Sequence, residues 1–249
     1  MEIVLDRITV TYKSAPAPAL RDVSLRFKQG EFVGVLGSSG AGKSTLIRCV
    51  NLLVKPSAGT VVWGGVDLLN SPPPTLRKVR SRTGMIFQQF HLVPRVSVLN
   101  NVLFGTIGAR ASWKNWLGYF TAEERARAAA TIAQVGLSQQ ADRRVERLSG
   151  GQQQRVAIAR MVMQQPRVVL GDEPVSSLDP VTSRSIMDIL RTLHEERGLI
   201  TVMNLHDVVL AKEYATRIVG LRHGEVVYDG PPEGVTDDVQ RLIFSSDPV

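Results

Sequence analysis

The stretch "GSSGAGKS", Gly37 to Ser44, combines glycines with a lysine and a hydroxyl residue at the spacing G-x-x-x-x-G-K-[ST]. It follows the apolar run "EFVGVLG" at 31–37, which has the length of a buried strand, and it precedes the helical pattern "TLIRCVNLL". Glycines let backbone N–H groups wrap a phosphate chain, and a helix N-terminus adds positive potential. In this pattern Lys43 reaches the β and γ phosphates and the Ser44 hydroxyl binds Mg²⁺. The stretch therefore predicts a site for nucleotide phosphates.

Two successive acids, Asp172 and Glu173, end the apolar run "RVVLGDE" at 167–173. Phosphoryl transfer to water needs one group that holds Mg²⁺ and a separate carboxylate that orients and deprotonates the water. Asp172 and Glu173 can divide these roles. A strand that ends in acids is a weak signal alone, because many strands stop at a solvated carboxylate. Together with the phosphate loop it indicates nucleotide hydrolysis.

A second glycine-rich turn, "LSGGQQQRVAIAR", occupies residues 148–160. Ser149, Gly150 and Gly151 precede a helix that we expect to start near Gln152, which makes another anion-binding helix terminus. The turn has no lysine and no apolar strand ahead of it, so it can offer N–H groups and a hydroxyl to a phosphate but cannot hold a nucleotide. Such a half-site makes sense if it completes a pocket begun by another copy of the chain. Locally, a plain N-cap at Ser149 explains the same residues and does not exclude this interpretation.

The remaining sequence must supply the elements that position these groups. Strand patterns open the chain in "EIVLDRITVTY", "VSLRF" and "SAGTVVWGGVDL", and "GMIF" at 84–87 is a short strand that ends at Gln88. Helical patterns replace them from about 90 to 164, including a helix that Thr121 caps and Gly136 ends. Strands and helices then alternate again. This order predicts an α/β fold with a mainly parallel sheet, an N-terminal antiparallel β subdomain and an inserted helical subdomain.

Composition narrows the class of protein. The chain has 249 residues, and no apolar run approaches the roughly 20 residues of a membrane-spanning helix. Its opening has no pattern of a secretory signal, and Cys49 is the single cysteine, which excludes an intrachain disulfide and fits a reducing compartment. The net charge is +7, but the basic residues are dispersed among acids and form no run interleaved with aromatics. We therefore predict no nucleic-acid partner.

Five motifs together resemble the ATP-binding subunit of an ATP-binding-cassette (ABC) transporter: "GSSGAGKST", "LSGGQ", "LGDEP", "SSLDP" and the "LHD" around His206. The resemblance covers essentially the whole chain. It implies one nucleotide-binding domain over 1–249, with the P-loop NTPase core of ABC proteins and the helical subdomain at about 90–164. It also implies ATP and Mg²⁺ as cofactors and hydrolysis of ATP coupled to transport.

In this family two cassettes meet head to tail, so the resemblance implies that the LSGGQ segment of one copy closes over the ATP of the other. The implied partners are a second copy of the chain, transmembrane permease subunits and, indirectly, a solute-binding protein. The implied location is peripheral, on the cytoplasmic face of the cell membrane.

The resemblance also assigns roles to individual residues. Those implied to bind ATP are Tyr12, Gly37, Ser38, Ser39, Gly40, Ala41, Gly42, Lys43, Ser44, Thr45, Ser149, Gly150, Gly151, Gln152 and Asp179. Those implied to hold the metal are Ser44, Gln88 and Asp172, and those implied to act in catalysis are Glu173, His206 and Gln88. Three of these residues have a simpler explanation. Tyr12 could be an ordinary strand tyrosine, Gln88 an exposed loop residue, and Asp179 a helix N-cap before Pro180.

Two positions depart from the pattern common in the family. Gly171 stands where a bulkier small residue is common, and Asn204 stands where a hydroxyl residue is frequent. We expect neither to contact a residue with an assigned role.

The cargo can be addressed only through resemblance. The insert at 100–128, with its "SWKNWLGYF", is similar to that of phosphonate-import ATPases, as are "SRTGMIFQQFHLVPRVSVLNNVL" and "VVYDGPP". The similarity implies import of a phosphonate or a related oxyanion such as phosphite. The alternative for Trp113, Trp116 and Phe120 is simple packing in the helical subdomain. We also expect a groove near residues 88–104 to accept a cytoplasmic helix of the permease.

Other functions of such a cassette remain alternatives: import of another small solute, or a non-transport ABC ATPase. A chromosome or repair clamp would separate the motifs by long coiled coils, and this chain sustains no heptads. A ribosome-associated regulator usually carries two cassettes, whereas this chain has one. A module that binds without hydrolysis would be expected to lack Glu173 or His206.

Overall fold

A computed structural model describes residues 1–13, 17–109 and 120–245 of the chain. Its larger sheet has the strand order β10-β9-β3-β8-β7-β6. Strands β3, β6, β7, β8 and β9 run parallel, and β10 joins the edge antiparallel to β9. These strands are β3 (Phe32–Leu36), β6 (Thr83–Phe87), β7 (Val168–Asp172), β8 (Ile200–Asn204), β9 (Arg217–Arg222) and β10 (Glu225–Gly230). The predicted mainly parallel α/β sheet is confirmed.

The smaller sheet is antiparallel and has the order β2-β1-β4-β5. Its strands are β1 (Glu2–Val10), β2 (Leu20–Lys28), β4 (Ala58–Trp63) and β5 (Val66–Asp67). Strand β2 buries alternate residues, as expected for a strand with one face on the core. The predicted N-terminal β subdomain is therefore present.

The central strands bring the chemical groups to one edge. Strands β3, β7 and β8 are buried along their full length, because parallel strands covered on both faces need continuous apolar sequence. The register pairs Phe87 with Asp172 and Asp172 with Asn204. Gln88, Glu173 and His206 follow these positions in sequence, so the carboxyl ends of three neighbouring strands carry them.

Helices surround the large sheet and fill the connection between β6 and β7. They are α1 (Lys43–Val50), α2 (Pro73–Ser81), α3 (Val98–Leu103), α4 (Ala122–Gln134), α5 (Gly150–Met163), α6 (Pro180–Arg197), α7 (Val208–Tyr214) and α8 (Asp237–Phe244). Helices α3, α4 and α5 pack on one another through residues such as Val102, Ile132 and Val156, each at most 1% exposed. The inserted helical subdomain is confirmed as a feature of the fold. The division of the chain into domains stays a prediction.

Helix α4 begins and ends where the sequence predicts. Thr121 caps it through a capping box with Glu124, and Gly136 follows the helix with a φ of +72°. Helices α2 and α8 were not predicted. Helix α2 starts inside "SPPPTLRKVR", where proline is compatible with the first turn because its missing N–H has no partner there anyway. Helix α8 is only eight residues long and carries a strong N-cap at Thr236.

None of the helices in the described part of the chain is both long enough and apolar enough to span a bilayer.

Candidate functional site

The phosphate loop joins β3 to α1 and is shaped by its glycines. Gly40 and Gly42 have φ values of +81° and +101°, which residues with a side chain rarely adopt. A side chain at Gly42 would also overlap the carbonyl of Ala19, and one at Gly37 would overlap the carbonyl of Leu221. Helix α1 has no side-chain cap at its N-terminus. Its first N–H groups can therefore be offered to an anion.

Lys43 is held inside this loop. Its side chain is buried, and Nζ donates hydrogen bonds of 2.8 Å to the carbonyl oxygens of Gly37 and Ser38. Burial lowers the pKa of Lys43, and the negative charges of Glu173 and Asp172 partly oppose this shift. The ammonium thus lies between the loop and the two acids, with neutral carbonyls as its hydrogen-bond acceptors. Phosphate oxygens would be stronger acceptors for it.

Asp172 is the centre of a polar cluster and is only 6% exposed. Its Oδ1 accepts a hydrogen bond of 2.6 Å from the Ser44 hydroxyl and one of 3.2 Å from Nδ2 of Asn204. Its Oδ2 accepts from the Arg48 guanidinium at 3.0 Å. The expectation that Asn204 contacts no assigned residue is therefore wrong. The register of β7 and β8 places Asn204 beside Asp172, and the amide reaches the carboxylate that a shorter hydroxyl side chain would approach less closely.

The same cluster fits Mg²⁺. Magnesium prefers oxygen ligands and usually takes one or two from the protein and the rest from phosphates and water. Ser44 and Asp172 present a hydroxyl and a carboxylate oxygen 2.6 Å apart. Within the described residues, no group of three or more His, Cys, Asp or Glu side chains is arranged to hold a metal by itself. The donor set thus suits a metal that arrives with a nucleotide.

Glu173 and His206 are in direct contact. Nε2 of His206 lies 2.6 Å from Oε1 of Glu173, and since a carboxylate oxygen only accepts, the histidine nitrogen donates. Glu173 is half-buried and has a φ of +56°, a conformation that costs a residue with a side chain about 1 to 3 kcal/mol. The backbone conformation that turns the Glu173 carboxylate away from the direction of β7 therefore lowers the stability of the fold. The γ-phosphate contact assigned to His206 stays a prediction.

Gln88 and Tyr12 lie at the borders of this region. Gln88 follows β6 and is exposed, and it lines a groove together with Phe90 and Gln153. Tyr12 is also exposed, and its hydroxyl lies 3.2 Å from the hydroxyl of Thr45 on α1. Its ring is thus next to the phosphate loop, where an adenine could stack on it. Metal binding by Gln88 and stacking by Tyr12 stay predictions.

The second glycine turn is organised differently. Helix α5 begins at Gly150, two residues before the predicted start near Gln152, because Ser149 caps it directly. The Ser149 hydroxyl accepts from the N–H of Gln152 at 3.3 Å, and the Gln152 side chain accepts from the N–H of Ser149 at 3.1 Å. Gly150 and Gly151 are therefore the first two helical residues. The turn is exposed and shaped by its own capping box.

Asp179 lies beside this turn. Its Oδ1 caps α6 by accepting from the N–H groups of Val181 and Thr182. The hydrogen bond from the Thr182 hydroxyl, followed by those from the backbone N–H groups, lowers the pKa of the carboxyl. A cavity of about 450 Å³ is shared by the two segments. It is lined by Gly136, Leu137, Ser149, Gly150, Gly151, Gln152, Arg155, Ser177, Leu178, Asp179 and Thr182. The phosphate loop is not part of this lining, so the two glycine-rich turns lie at separate places on the chain.

A groove lies at part of the segment where one was expected, and its docking of a permease helix stays a prediction. A cavity of about 570 Å³ is lined by Gln88, Gln89, Phe90, His91, Leu92, Pro94, Val145, Glu146, Gln153 and Ser177. Its lining ends at Pro94 and does not include 95–104, contrary to the expected extent, because α3 turns Val98 and Val102 into the core. Segment 145–153 forms the opposite wall. The wall formed by residues 88–94 is held by Arg160, whose guanidinium donates hydrogen bonds to the carbonyl oxygens of Phe90 and His91.

The cargo-related insert is only partly described. Trp113 and Trp116 lie outside the described residues. Phe120 is 9% exposed and packs in the core of the helical subdomain with Phe104, at a ring distance of 6.4 Å. For Phe120 the simple packing alternative is therefore sufficient.

Sequence reasoning missed Arg48 and Gln154 near the site. Arg48 pairs with Asp172, and Gln154 donates to the carbonyl of Pro174, directly after Glu173. The spacing of Arg48 five residues after Lys43, on the helix that starts at the phosphate loop, could have suggested the first. No pattern in the sequence indicates the second.

Comparison with known proteins agrees with this geometry. The sequence profile of the ABC transporter family matches residues 20–176. The phosphonates import ATP-binding protein PhnC 1 of Rhodopseudomonas palustris (strain HaA2) is 49% identical over 243 residues, which cover 98% of this chain and 86% of that protein. PhnC of Bdellovibrio bacteriovorus is 44% identical over 241 residues, covering 96% of this chain and 92% of that protein.

Solved structures show the same fold. A dimeric post-hydrolysis state of the ATP-binding cassette MJ0796, bound to ADP and Pi, has a TM-score of 0.82 at 35% identity and covers 93% of this chain and 99% of that one. CbiO1 of Clostridium perfringens, part of the transporter complex cbiONQ, has a TM-score of 0.82 at 27% identity, covering 97% of this chain and 93% of that one.

Proposed function

Because the chain belongs to the ABC transporter family and is one of its ATP-hydrolysing subunits, we propose that it powers an importer of phosphonate or a related phosphorus oxyanion such as phosphite. The cargo is supported by the relatives named as phosphonates import proteins, which match it over nearly its whole length. The motor function is carried by one observation: the phosphate loop, Asp172 and the Glu173–His206 pair meet at the same edge of the parallel sheet.

The catalytic unit in this proposal is a head-to-tail dimer of two copies. The phosphate loop of one copy binds ATP, and the exposed Ser149–Gln152 edge of the other closes over it. The separation of the two edges within one chain supports this arrangement, as do the dimeric structures of a similar cassette. The 450 Å³ cavity at Ser149 and Asp179 would then receive the nucleotide held by the partner copy.

The residues of the first edge suit hydrolysis. Lys43 exchanges the carbonyls of Gly37 and Ser38 for phosphate oxygens when ATP enters the loop. Ser44 and Asp172 would hold Mg²⁺, which supplies positive charge to the β and γ phosphates when bound. Glu173 accepts a proton from the attacking water, and the donated hydrogen bond from His206 keeps its carboxylate oriented. Negative charge that develops on the γ-phosphate is stabilised by Lys43 and by the α1 N-terminus.

The groove at Gln88–Pro94 is proposed as the docking site for a cytoplasmic helix of the permease, at the cytoplasmic face of the membrane. It lies between Gln88, beside the nucleotide edge, and Gln153, in helix α5, which Ser149 caps. A helix seated there would sense both nucleotide binding and dimer closure. Alanine substitutions at Phe90 and Leu92 should weaken assembly with the permease, and intact assembly together with normal coupling would show that the helix docks elsewhere.

Glu173→Gln tests the hydrolytic role. The amide cannot accept the water proton, so ATPase activity should fall about a thousandfold while ATP still binds. Dimers with bound ATP should accumulate and be visible by light scattering. Glu196→Gln, an exposed change on α6, is the matched control and should leave both quantities unchanged. Turnover near the original rate in Glu173→Gln would remove Glu173 from the role of general base.

The cargo is tested by transport. Vesicles that contain this chain and its co-purified permease, supplied with the solute-binding protein and internal ATP, should take up methylphosphonate or phosphite. Sulfate and an amino acid serve as comparison solutes. Preferential uptake of one of these would replace the proposed cargo while leaving the motor function intact.

A further inference from the structure

Gln154 links helix α5 to the turn that contains Glu173. It lies in the second turn of α5, is 0% exposed, and its Nε2 donates to the carbonyl oxygen of Pro174 at 2.5 Å. Pro174 directly follows Glu173, whose left-handed backbone sets the direction of the carboxylate. The Pro174–Val175 peptide, one residue after Glu173, is therefore held by a side chain of α5, the helix that Ser149 caps.

Within the described residues, only one of the two polar atoms of the Gln154 amide has a hydrogen-bond partner. Nε2 donates to Pro174, whereas Oε1 is buried and has no partner there. The orientation is fixed, because a rotated amide would place Oε1 against the Pro174 carbonyl, and two acceptors repel. An apolar side chain of the same size would avoid the unpaired buried acceptor. The glutamine is thus a poor choice for stability, and its donated hydrogen bond is the feature that distinguishes it from an apolar residue.

Gly150 and Gly151 lie on the same face of α5 as Gln154. They are four and three residues before it, so the three positions form one stripe on the helix. A side-chain carbon at Gly151 would overlap the Thr182 methyl group, and one at Gly150 would contact Leu178 at 3.6 Å. The first turn of α5 therefore packs closely on segment 178–182. A shift of that turn cannot occur without moving the Gln154 amide relative to Pro174.

We propose that Gln154 is a positioning residue that sets the orientation of Glu173 and transmits the position of the Ser149–Gln152 edge to it. In the proposed dimer that edge contacts the partner's ATP, so closure over one nucleotide would align the carboxylate that attends the other. The inference rests on the proposed roles of Glu173 and of the composite site. Gln154 itself does not contact the nucleotide.

The test compares Gln154, within α5, and Gln164, the residue that caps the C-terminus of α5. Gln154→Met keeps the volume and removes the donor. Gln164→Met is the matched control, since Gln164 also donates its amide to backbone carbonyls, those of Arg80 and Thr83, at the end of α5 away from the site. ATPase rate, ATP affinity, the Hill coefficient for ATP and thermal unfolding are measured for both variants as full-length protein.

Gln154→Met should lower kcat about 10- to 100-fold, as expected when a reacting group is displaced by a fraction of an ångström to an ångström. ATP affinity of the monomer should stay within about twofold, because the phosphate loop is untouched, and the Hill coefficient should fall towards one. Gln164→Met should change none of these. An unchanged kcat and Hill coefficient in Gln154→Met, or the same loss in both variants, would overturn the proposal.

Two further variants keep the result interpretable. If Gln154→Met does not fold, Gln154→Asn takes its place, since it stays polar but is one methylene too short to hold Pro174. Glu173→Gln is measured in parallel. Loss of hydrolysis in Glu173→Gln with normal kinetics in Gln154→Met sinks only the role of Gln154, whereas normal turnover in Glu173→Gln sinks the proposed function itself.

Discussion

The two glycine-rich turns of this chain show two ways to prepare a helix terminus for an anion. At the phosphate loop, Lys43 is buried, and within the described residues its ammonium donates to the neutral carbonyls of Gly37 and Ser38, while α1 begins without a side-chain cap. At the second turn, Ser149 is exposed, and its hydroxyl already accepts a hydrogen bond from the N–H of Gln152 in the capping box. The first turn has positive charge ready for a phosphate. The second turn offers a hydroxyl and N–H groups, and residues 148–152 include no charged side chain.

This difference explains why one chain needs both. A buried cation with neutral acceptors gains strongly from phosphate, so the first edge can capture a nucleotide alone. In the proposed dimer the second edge contributes neutral hydrogen bonds, each worth only about 1 kcal/mol, so it would close over a nucleotide but would not recruit one. Substitutions at Lys43, Ser149, Asn204 and His194 separate these two roles.

Lys43→Ala should have the largest effect. Without the ammonium the loop loses its positive charge, and ATPase activity should fall about a thousandfold with a large loss of ATP affinity. Binding of a fluorescent ATP analogue and phosphate release measure the two quantities. Lys55→Ala, an exposed lysine outside the loop, is the control. Retained ATP affinity in Lys43→Ala would show that the two turns are less different than their charges indicate.

Ser149→Glu should abolish hydrolysis but spare nucleotide binding, because a carboxylate at the lid repels the partner's phosphates. Mixing this variant with Lys43→Ala should restore hydrolysis to roughly a quarter of the original rate, since half of the dimers are mixed and each has one intact composite site. Ser138→Glu, another exposed serine, is the control. If the mixture stays inactive although mixed dimers form, the lid and the loop do not act across copies.

Asn204→Leu should have a smaller effect, which is confined to the binding of Mg²⁺. It removes the amide that donates to Asp172, so the Mg²⁺ concentration for half-maximal ATP binding should rise about tenfold. Asn204→Ser, which keeps a donor, should raise it less. Titration of Mg²⁺ against binding of a fluorescent ATP analogue measures this. An unchanged Mg²⁺ requirement in Asn204→Leu would separate Asn204 from the metal cluster.

His194 should affect stability alone. The ring is 7% exposed and bonds the Thr201 hydroxyl at 2.9 Å, and burial lowers its pKa, with the Gly30 backbone and Glu195 opposing. The unfolded chain then binds the proton more readily, so the stability contributed by neutral His194 is complete above a pH of about 6.5 and is lost as the pH falls below it. His194→Gln should flatten this loss in denaturant unfolding followed from pH 8 to 5. An identical pH dependence in the variant would contradict the assignment, whereas ATPase activity at pH 8 should be equal.

Much of the fold could be predicted from the sequence, because local patterns decide local structure. Continuous apolar runs predict the buried strands at Phe32 and Val168, and Thr121 with Glu124 predicts the start of α4. The start of α5 was misplaced by two residues because glycine has low helix propensity, and the Ser149 cap outweighed it. Helix α2 was missed because three prolines in "SPPPTLRKVR" suggest a loop.

The order of residues along the chain shows which chemical groups are available: a phosphate loop, paired acids, a second glycine turn and a histidine after a strand. Which of these groups come into contact depends on the fold. The register of β7 and β8 brings Asn204 to Asp172, and the packing of α5 on segment 174–182 brings Gln154 to Pro174. These pairs are separated by 32 and 20 residues. Contacts at such distances depend on strand register and helix packing, which the spacing of residues along the chain does not encode.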